Sequence, residues 1–132
     1  HNEWDVPTAI GLSEVLEPVR PLWLEDVMSL WYSEGWKALK AASKVRIATG
    51  EKLETPREFL PFLQNGALDA IHPDLAFCGG ITGGRKIAEL AELFYVPVVT
   101  HNVGSAIQNA ASAGSLSAGG PSVGEGGATA PL

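Results

Sequence analysis

Four polar side chains recur along this chain at nearly equal spacing, each at the end of a short apolar run or just beyond it. They are Glu25, Glu51, Asp74 and His101, separated by 26, 23 and 27 residues, and His1 lies 24 residues before Glu25. Carboxylates suit a hard divalent cation, and an imidazole suits proton transfer near neutral pH. A fold that brings these side chains together would therefore form a site for acid–base chemistry assisted by a metal ion.

Glu25 and Glu51 are candidate metal ligands. Two carboxylates at the ends of neighbouring strands would offer oxygen ligands to Mg²⁺ and leave positions for water or substrate. The alternative is that both acids are solvated in surface loops. Asp26 follows Glu25 directly, and we expect it to point away from Glu25, because neighbouring residues of a strand face opposite sides.

Asp74 and His101 are candidate partners in proton transfer. An aspartate that accepts a hydrogen bond from one ring nitrogen fixes the tautomer of the imidazole and raises the basicity of the other nitrogen. The alternative is a partly buried histidine with an ordinary hydrogen bond. His72 lies two residues before Asp74, and we interpret it as a structural residue within a strand.

The elements that would position these residues alternate between strand and helix patterns. Strands are predicted at residues 21–25, 45–50, 68–73 and 96–100, and helices at 8–18, 33–44, 55–63, 83–94 and 104–112. The helix near 55 has the clearest start, since Thr55, Pro56 and Glu58 form a capping-box pattern. This alternation predicts an α/β fold with a parallel sheet. In a TIM-like barrel, catalytic side chains come from the C-terminal ends of several strands, which agrees with their regular recurrence.

The composition narrows the class of protein. The chain has 132 residues, 45% of them hydrophobic, which is enough for one domain with a core. A net charge of −6 argues against a nucleic-acid or anionic-membrane partner. Cys78 is the only cysteine, so no internal disulfide is possible and we expect a cytoplasmic protein.

Two regions of the chain are distinguished by their composition. Residues 1–112 carry the alternating pattern and form the predicted domain, whereas residues 113–132 are rich in Gly, Ser and Ala and have almost no core formers. We expect the second region to be a disordered or aberrant tail. Because the chain starts at His1 without an initiator methionine, we also expect it to be processed or incomplete.

Five short motifs together resemble a known family. The motifs WLED, ATGE, HPD, CGGIT and VTHN, in this order and spacing, are similar to the C-terminal catalytic domain of the mandelate racemase/muconate lactonizing enzyme family of the enolase superfamily. Within it they are most similar to acid-sugar dehydratases of the galactonate type. The resemblance implies a modified (β/α)₇β barrel, of which this chain would supply only the middle-to-late units.

The resemblance also implies a role for each candidate residue. Glu25 and Glu51 match the second and third Mg²⁺ ligands of the family, and Asp74 and His101 match an Asp–His pair whose histidine is the general base. His1 matches a histidine that acts as general acid on the leaving hydroxyl. The first metal ligand is expected before His1. The glutamate of the family's last strand would fall within the tail, where nothing matches it.

The function implied by the resemblance is the Mg²⁺-dependent dehydration of a sugar acid to a 2-keto-3-deoxy acid through an enediolate. The implied partner is a small sugar acid, without nucleic acid or membrane, and the complete protein is expected to be a homo-oligomer. Two alternatives stay open. One is a racemase or epimerase of a 2-hydroxy acid in the same superfamily, and the other is a catalytically inactive fragment.

Overall fold

The computed structural model describes residues 3–104 and 106–117, and these residues form alternating helices and strands. A 3-10 turn at Glu17–Val19 follows the first helix. The helices are α1 (Val6–Leu16), α2 (Glu34–Ala42), α3 (Pro56–Gln64), α4 (Gly80–Glu92) and α5 (Ala106–Ser117), and the strands are β1 (Leu24–Glu25), β2 (Ile47–Thr49) and β3 (Ala70–Ile71).

The three strands form one parallel sheet in the order β1–β2–β3. A fourth extended segment lies beside β3 and pairs with that part of the chain through parallel bridges, Ile71 with Val98 and Asp74 with His101. The His101 N–H donates to the Pro73 carbonyl at 2.9 Å. Consecutive extended segments are therefore neighbours in space, and their carboxyl ends meet along one edge.

Helix α3 shows how local sequence sets an element boundary. The Glu58 carboxylate accepts hydrogen bonds from the backbone N–H groups of Glu54 and Thr55, both at 2.8 Å, and so closes the predicted capping box. The helix ends at Gln64, and Gly66, two residues later, adopts a left-handed conformation with φ 58°. A short segment then leads to β3, which begins at Ala70.

The core lies between the sheet and the helices that cover it. Its largest fully buried side chains include Trp36, Phe59 and Phe62. The Trp36 and Phe62 rings meet edge to face with centroids 5.5 Å apart, an arrangement that aromatic pairs favour. This packing joins α2 to α3 and supports the β2 strand that carries the chain toward Glu51.

The predicted fold class is confirmed, since parallel strands alternate with helices. Three details differ from the sequence-based expectation. The strands are shorter than predicted, α4 begins at Gly80 rather than at residue 83, and α5 continues to Ser117, five residues into the predicted tail. His1 and residues 118–132 lie outside the described part of the chain. Within that part, every helix is too short or too polar to cross a lipid bilayer.

Candidate active site

The candidate site lies at the carboxyl edge of the sheet. Glu25 is the last residue of β1, Glu51 lies two residues after β2, and Asp74 lies three residues after β3. His101 follows the extended segment beside β3 and is paired with Asp74 in a parallel bridge. The structure thus brings together four of the five residues singled out in the sequence, while His1 lies outside the described residues.

Three carboxylates form a compact cluster at this edge. Glu25, Asp26 and Glu51 each offer one oxygen atom, and the three oxygens lie within 4.8 Å of one another. Lys52 Nζ lies 3.6 Å from Glu51 Oε1. Because like charges at this separation repel one another, a bound cation would stabilise the cluster. Carboxylate oxygens are the ligands that Mg²⁺ and Ca²⁺ prefer.

The expectation that Asp26 points away from Glu25 is wrong. Asp26 has φ 50°, in the left-handed region, so the alternation of a regular strand ends at this residue. Its side chain is 2% exposed and accepts a hydrogen bond from the Thr49 hydroxyl on β2. The backbone turn therefore adds Asp26 to the carboxylate cluster.

Glu25 is held by two ring side chains. The Trp23 indole N–H donates to Glu25 Oε2 at 2.8 Å, and His72 Nδ1 lies 3.2 Å from Glu25 Oε1. The contact with His72 lowers the pKa of Glu25, burial opposes this effect, and the Trp23 bond lowers the pKa further. The result is a pKa below the ordinary value of glutamate, so Glu25 is ionised at neutral pH.

The His101 imidazole bridges Asp74 and the carboxylate cluster. Its Nδ1 lies 2.8 Å from Asp74 Oδ2, and its Nε2 lies 3.0 Å from Glu51 Oε2. The His101 side chain is 16% exposed and that of Asp74 is 3% exposed. One ring nitrogen therefore contacts a buried aspartate, and the other is directed toward the cluster.

The second oxygen of Asp74 has its own donors. Asp74 Oδ1 accepts from the Ala76 backbone N–H at 2.7 Å and from the Gln108 side-chain amide at 2.9 Å. Gln108 belongs to α5, so this helix also contributes to the site. A buried carboxylate needs such donors, because an unpaired charge in the interior is strongly unfavourable.

Besides Asp26, His72 and Gln108 were not identified as site residues from the sequence. His72, interpreted as structural, contacts Glu25, and its ring meets the His101 ring with centroids 5.3 Å apart. Its position two residues before Asp74 was a usable signal, because residues two apart in an extended segment share a face. Gln108 carried no comparable signal, since only the folded position of α5 brings it to Asp74.

The chain is similar to known proteins. The sequence model of the family described as Enolase C-terminal domain-like matches residues 1–123. The chain is 35% identical over 108 residues to a D-gluconate dehydratase of Thermoproteus tenax, which covers 82% of this chain and 22% of that enzyme. It is 36% identical over 101 residues to a D-galactonate dehydratase of Variovorax paradoxus (strain S110), which covers 76% of this chain and 26% of the relative.

A solved structure shares the fold as well. The chain superposes on an L-talarate dehydratase from Polaromonas sp. JS666, complexed with Mg and L-glucarate, with a TM-score of 0.72 and 34% sequence identity. The match covers 78% of this chain and 28% of that chain. The chain therefore spans only about a quarter of the length of the relatives it matches.

Proposed function

The chain belongs to the enolase C-terminal domain-like family, and we propose that it carries part of the active site of a lyase that removes water from a sugar acid. The relatives it matches are dehydratases of D-gluconate and D-galactonate. The proposed reaction converts a sugar acid to a 2-keto-3-deoxy acid through an enediolate. The proposed partner is thus a small sugar acid. The homo-oligomeric state and the cytoplasmic location expected from the sequence stay predictions.

The placement of His101 is the observation that carries this proposal. Asp74 lies at its Nδ1, and the carboxylate cluster lies toward its Nε2. A proton on Nδ1 that is held by Asp74 would leave the Nε2 lone pair available as a base when Nε2 is not bonded to Glu51. The arrangement would direct this base at a substrate bound beside the cluster.

The residues present fit a magnesium ion. The cluster of Glu25, Asp26 and Glu51 offers hard oxygen donors with negative charge, which is the donor chemistry that Mg²⁺ prefers. In our proposal Glu25 and Glu51 hold the ion, with Asp26 beside them. When bound, Mg²⁺ would supply positive charge that stabilises the enediolate of the substrate.

The side chains of this chain would carry out the proton transfers. His101 would take the α-proton at Nε2, while Asp74 holds the opposite nitrogen and stabilises the imidazolium that forms. His1 would then protonate the departing 3-hydroxyl group. The enol that remains would tautomerise to the 2-keto-3-deoxy acid.

Hydrogen–deuterium exchange at the α-carbon tests the base directly. The chain is incubated with Mg²⁺ and D-gluconate or D-galactonate in heavy water, and the α-proton is followed by NMR. His101→Asn is expected to reduce exchange by roughly 10²- to 10⁴-fold, the usual contribution of a general acid–base group. Tyr95→Asn is the matched control, because Tyr95 is 96% exposed and has a left-handed φ of 56° that asparagine tolerates.

The same assay separates the two histidines and the competing functions. His1→Asn is expected to block formation of the keto acid but to retain α-exchange, because proton removal precedes loss of the hydroxyl. Exchange with inversion and without keto acid would indicate a racemase or epimerase instead. A chimera tests the inactive alternative: the 108 residues of this chain that match the D-gluconate dehydratase of T. tenax replace the corresponding segment of that enzyme. If neither this chain nor the chimera exchanges the α-proton, the chain is a catalytically inactive fragment.

A further inference from the structure

Gln108 on α5 contacts the proposed catalytic pair at the Asp74 oxygen that does not face His101. We propose that its side-chain amide is a positioning group, which orients the Asp74 carboxylate and through it selects the tautomer of His101. The inference rests on the proposed function, since it assigns Gln108 to the Asp74–His101 pair. It adds a residue from α5, a helix whose sequence pattern indicates no part in the chemistry.

The hydrogen bonds of Asp74 divide cleanly between its two oxygens. Oδ1 accepts from the Ala76 N–H at 2.7 Å and from Gln108 Nε2 at 2.9 Å, whereas Oδ2 contacts His101 Nδ1 at 2.8 Å. The two donors on Oδ1 fix the rotation of the carboxylate about its Cβ–Cγ bond. Oδ2 is therefore directed at the ring, and the His101 tautomer with its proton on Nδ1 is favoured.

The neutral amide of Gln108 suits this task better than a cation would. A lysine or arginine at the same place would neutralise much of the Asp74 charge, because it would form a strong charge-assisted pair. An amide donates one hydrogen bond and leaves the charge in place. That charge is what favours the proton on Nδ1 and stabilises the imidazolium.

Gly104 lies against the Gln108 side chain. A Cβ atom on residue 104 would overlap Gln108 Oε1, so a side chain at this position would displace the Gln108 amide. The Gly104 N–H donates to Asn102 Oδ1 at 3.0 Å, which ties this glycine to the residue after His101. Substitution of Gly104 by alanine is therefore a second way to displace the Gln108 side-chain amide, without changing Gln108 itself.

The tautomer of His101 is the readout that tests the proposal. Chains with ¹⁵N-labelled histidine are studied by magic-angle-spinning NMR, which works for soluble and sedimented protein alike. The pH is chosen so that the ¹⁵N chemical shifts of the ring show a neutral imidazole. All chains carry Glu51→Gln, so that Asp74 is the carboxylate in contact with the ring. His101 is assigned by its loss in His101→Asn.

In this background, His101 is expected with its proton on Nδ1. Gln108→Leu should shift the tautomer ratio toward Nε2–H by roughly three- to tenfold, part of the effect of one hydrogen bond to a charged group. Gly104→Ala, which keeps Gln108 but displaces its amide, should act in the same direction. Ile107→Leu is the control, because Ile107 lies on the same helix next to Gln108 and its side chain is 82% exposed.

The outcomes separate this inference from the proposed function. If the parent chain shows the Nδ1 proton but the Gln108 and Gly104 variants retain it, Gln108 has no positioning role and the inference is overturned, while the proposed base is unaffected. If the parent chain lacks the Nδ1 proton, the Asp74–His101 pair itself is not formed, and both fail. An equal shift in Ile107→Leu would attribute the effect to α5 as a whole and would also overturn the inference.

Discussion

Glu51 connects the two halves of the candidate site. One of its oxygens lies 3.0 Å from His101 Nε2, the other lies 3.6 Å from Lys52 Nζ, and the residue is also part of the carboxylate cluster. A single side chain thus faces both the proposed base and the proposed metal ion. Changes at this residue should therefore be felt in metal affinity as well as in proton transfer.

Loss of the Glu51 charge should weaken magnesium binding. We expect Glu51→Gln to raise the Mg²⁺ dissociation constant by at least roughly tenfold, equivalent to about 1.4 kcal/mol, because affinity follows the number of charged ligands. Titration calorimetry measures the change. Glu54→Gln is the matched control, since Glu54 is an exposed acid outside the cluster, and tight binding that survives Glu51→Gln would contradict the assignment.

The residues of the site differ in how far the sequence could predict them. Glu25, Glu51, Asp74 and His101 were found because each lies at the end of an apolar run, and parallel strands bring such ends together. Asp26 was misplaced because its φ of 50° is a property of the folded turn. Contacts set by tertiary packing, such as that of Gln108, leave no periodic signal in the chain.

At the scale of elements, the best-predicted feature is the start of α3. The contribution of its capping box to stability can be measured separately. Glu58→Ala removes the acceptor for the Glu54 and Thr55 N–H groups, and we expect it to destabilise the chain by about 1 kcal/mol, as for other helix caps. Glu54→Ala removes a neighbouring exposed carboxylate and leaves the cap in place. Urea unfolding followed by circular dichroism measures both, and equal losses would show that the cap contributes nothing of its own.

The capping contribution should also depend on pH in a defined direction. Burial raises the pKa of Glu58, but the hydrogen bonds from Thr55 and Glu54 outweigh it, so the pKa lies below its ordinary value of 4.5. A lowered folded-state pKa stabilises the protein at pH values above 4.5, and this stabilisation is lost as the pH falls through the folded-state pKa. The difference between wild type and Glu58→Ala should therefore shrink in acid.

The strands were harder to predict than the helices. Apolar runs of five or six residues predicted four strands, but the paired portions extend over only two or three residues, and the fourth segment pairs through isolated bridges. A helix records its ends in local capping residues, which explains why α3 starts where the sequence indicates. The length of a strand is set by its neighbours in the sheet, and those contacts are remote in sequence.

At the scale of the whole molecule, the described sheet is open rather than closed. Within residues 3–104 and 106–117, β1 pairs with β2 on one side only, and the segment near Val98 pairs with β3 on one side only. The chain segments before and after β1 carry large exposed apolar side chains, with Leu22 56% and Trp31 60% exposed. A closed barrel has no such edges, so this surface is of the kind that other chains can pair with or cover.

We therefore expect the 132-residue chain to self-associate when produced alone. Open edges and exposed apolar side chains promote contact between copies, whereas a lysine at an edge opposes it, because pairing would bury the charge. Sedimentation velocity over a range of concentrations should show association in wild type and less in Leu22→Lys. Val15→Lys introduces the same charge at a side chain that is 73% exposed on the helix α1 instead of next to β1 in the chain, and should change association less. A monodisperse monomer with a cooperative thermal transition would contradict the prediction, because the sheet edges would then need no cover from another chain.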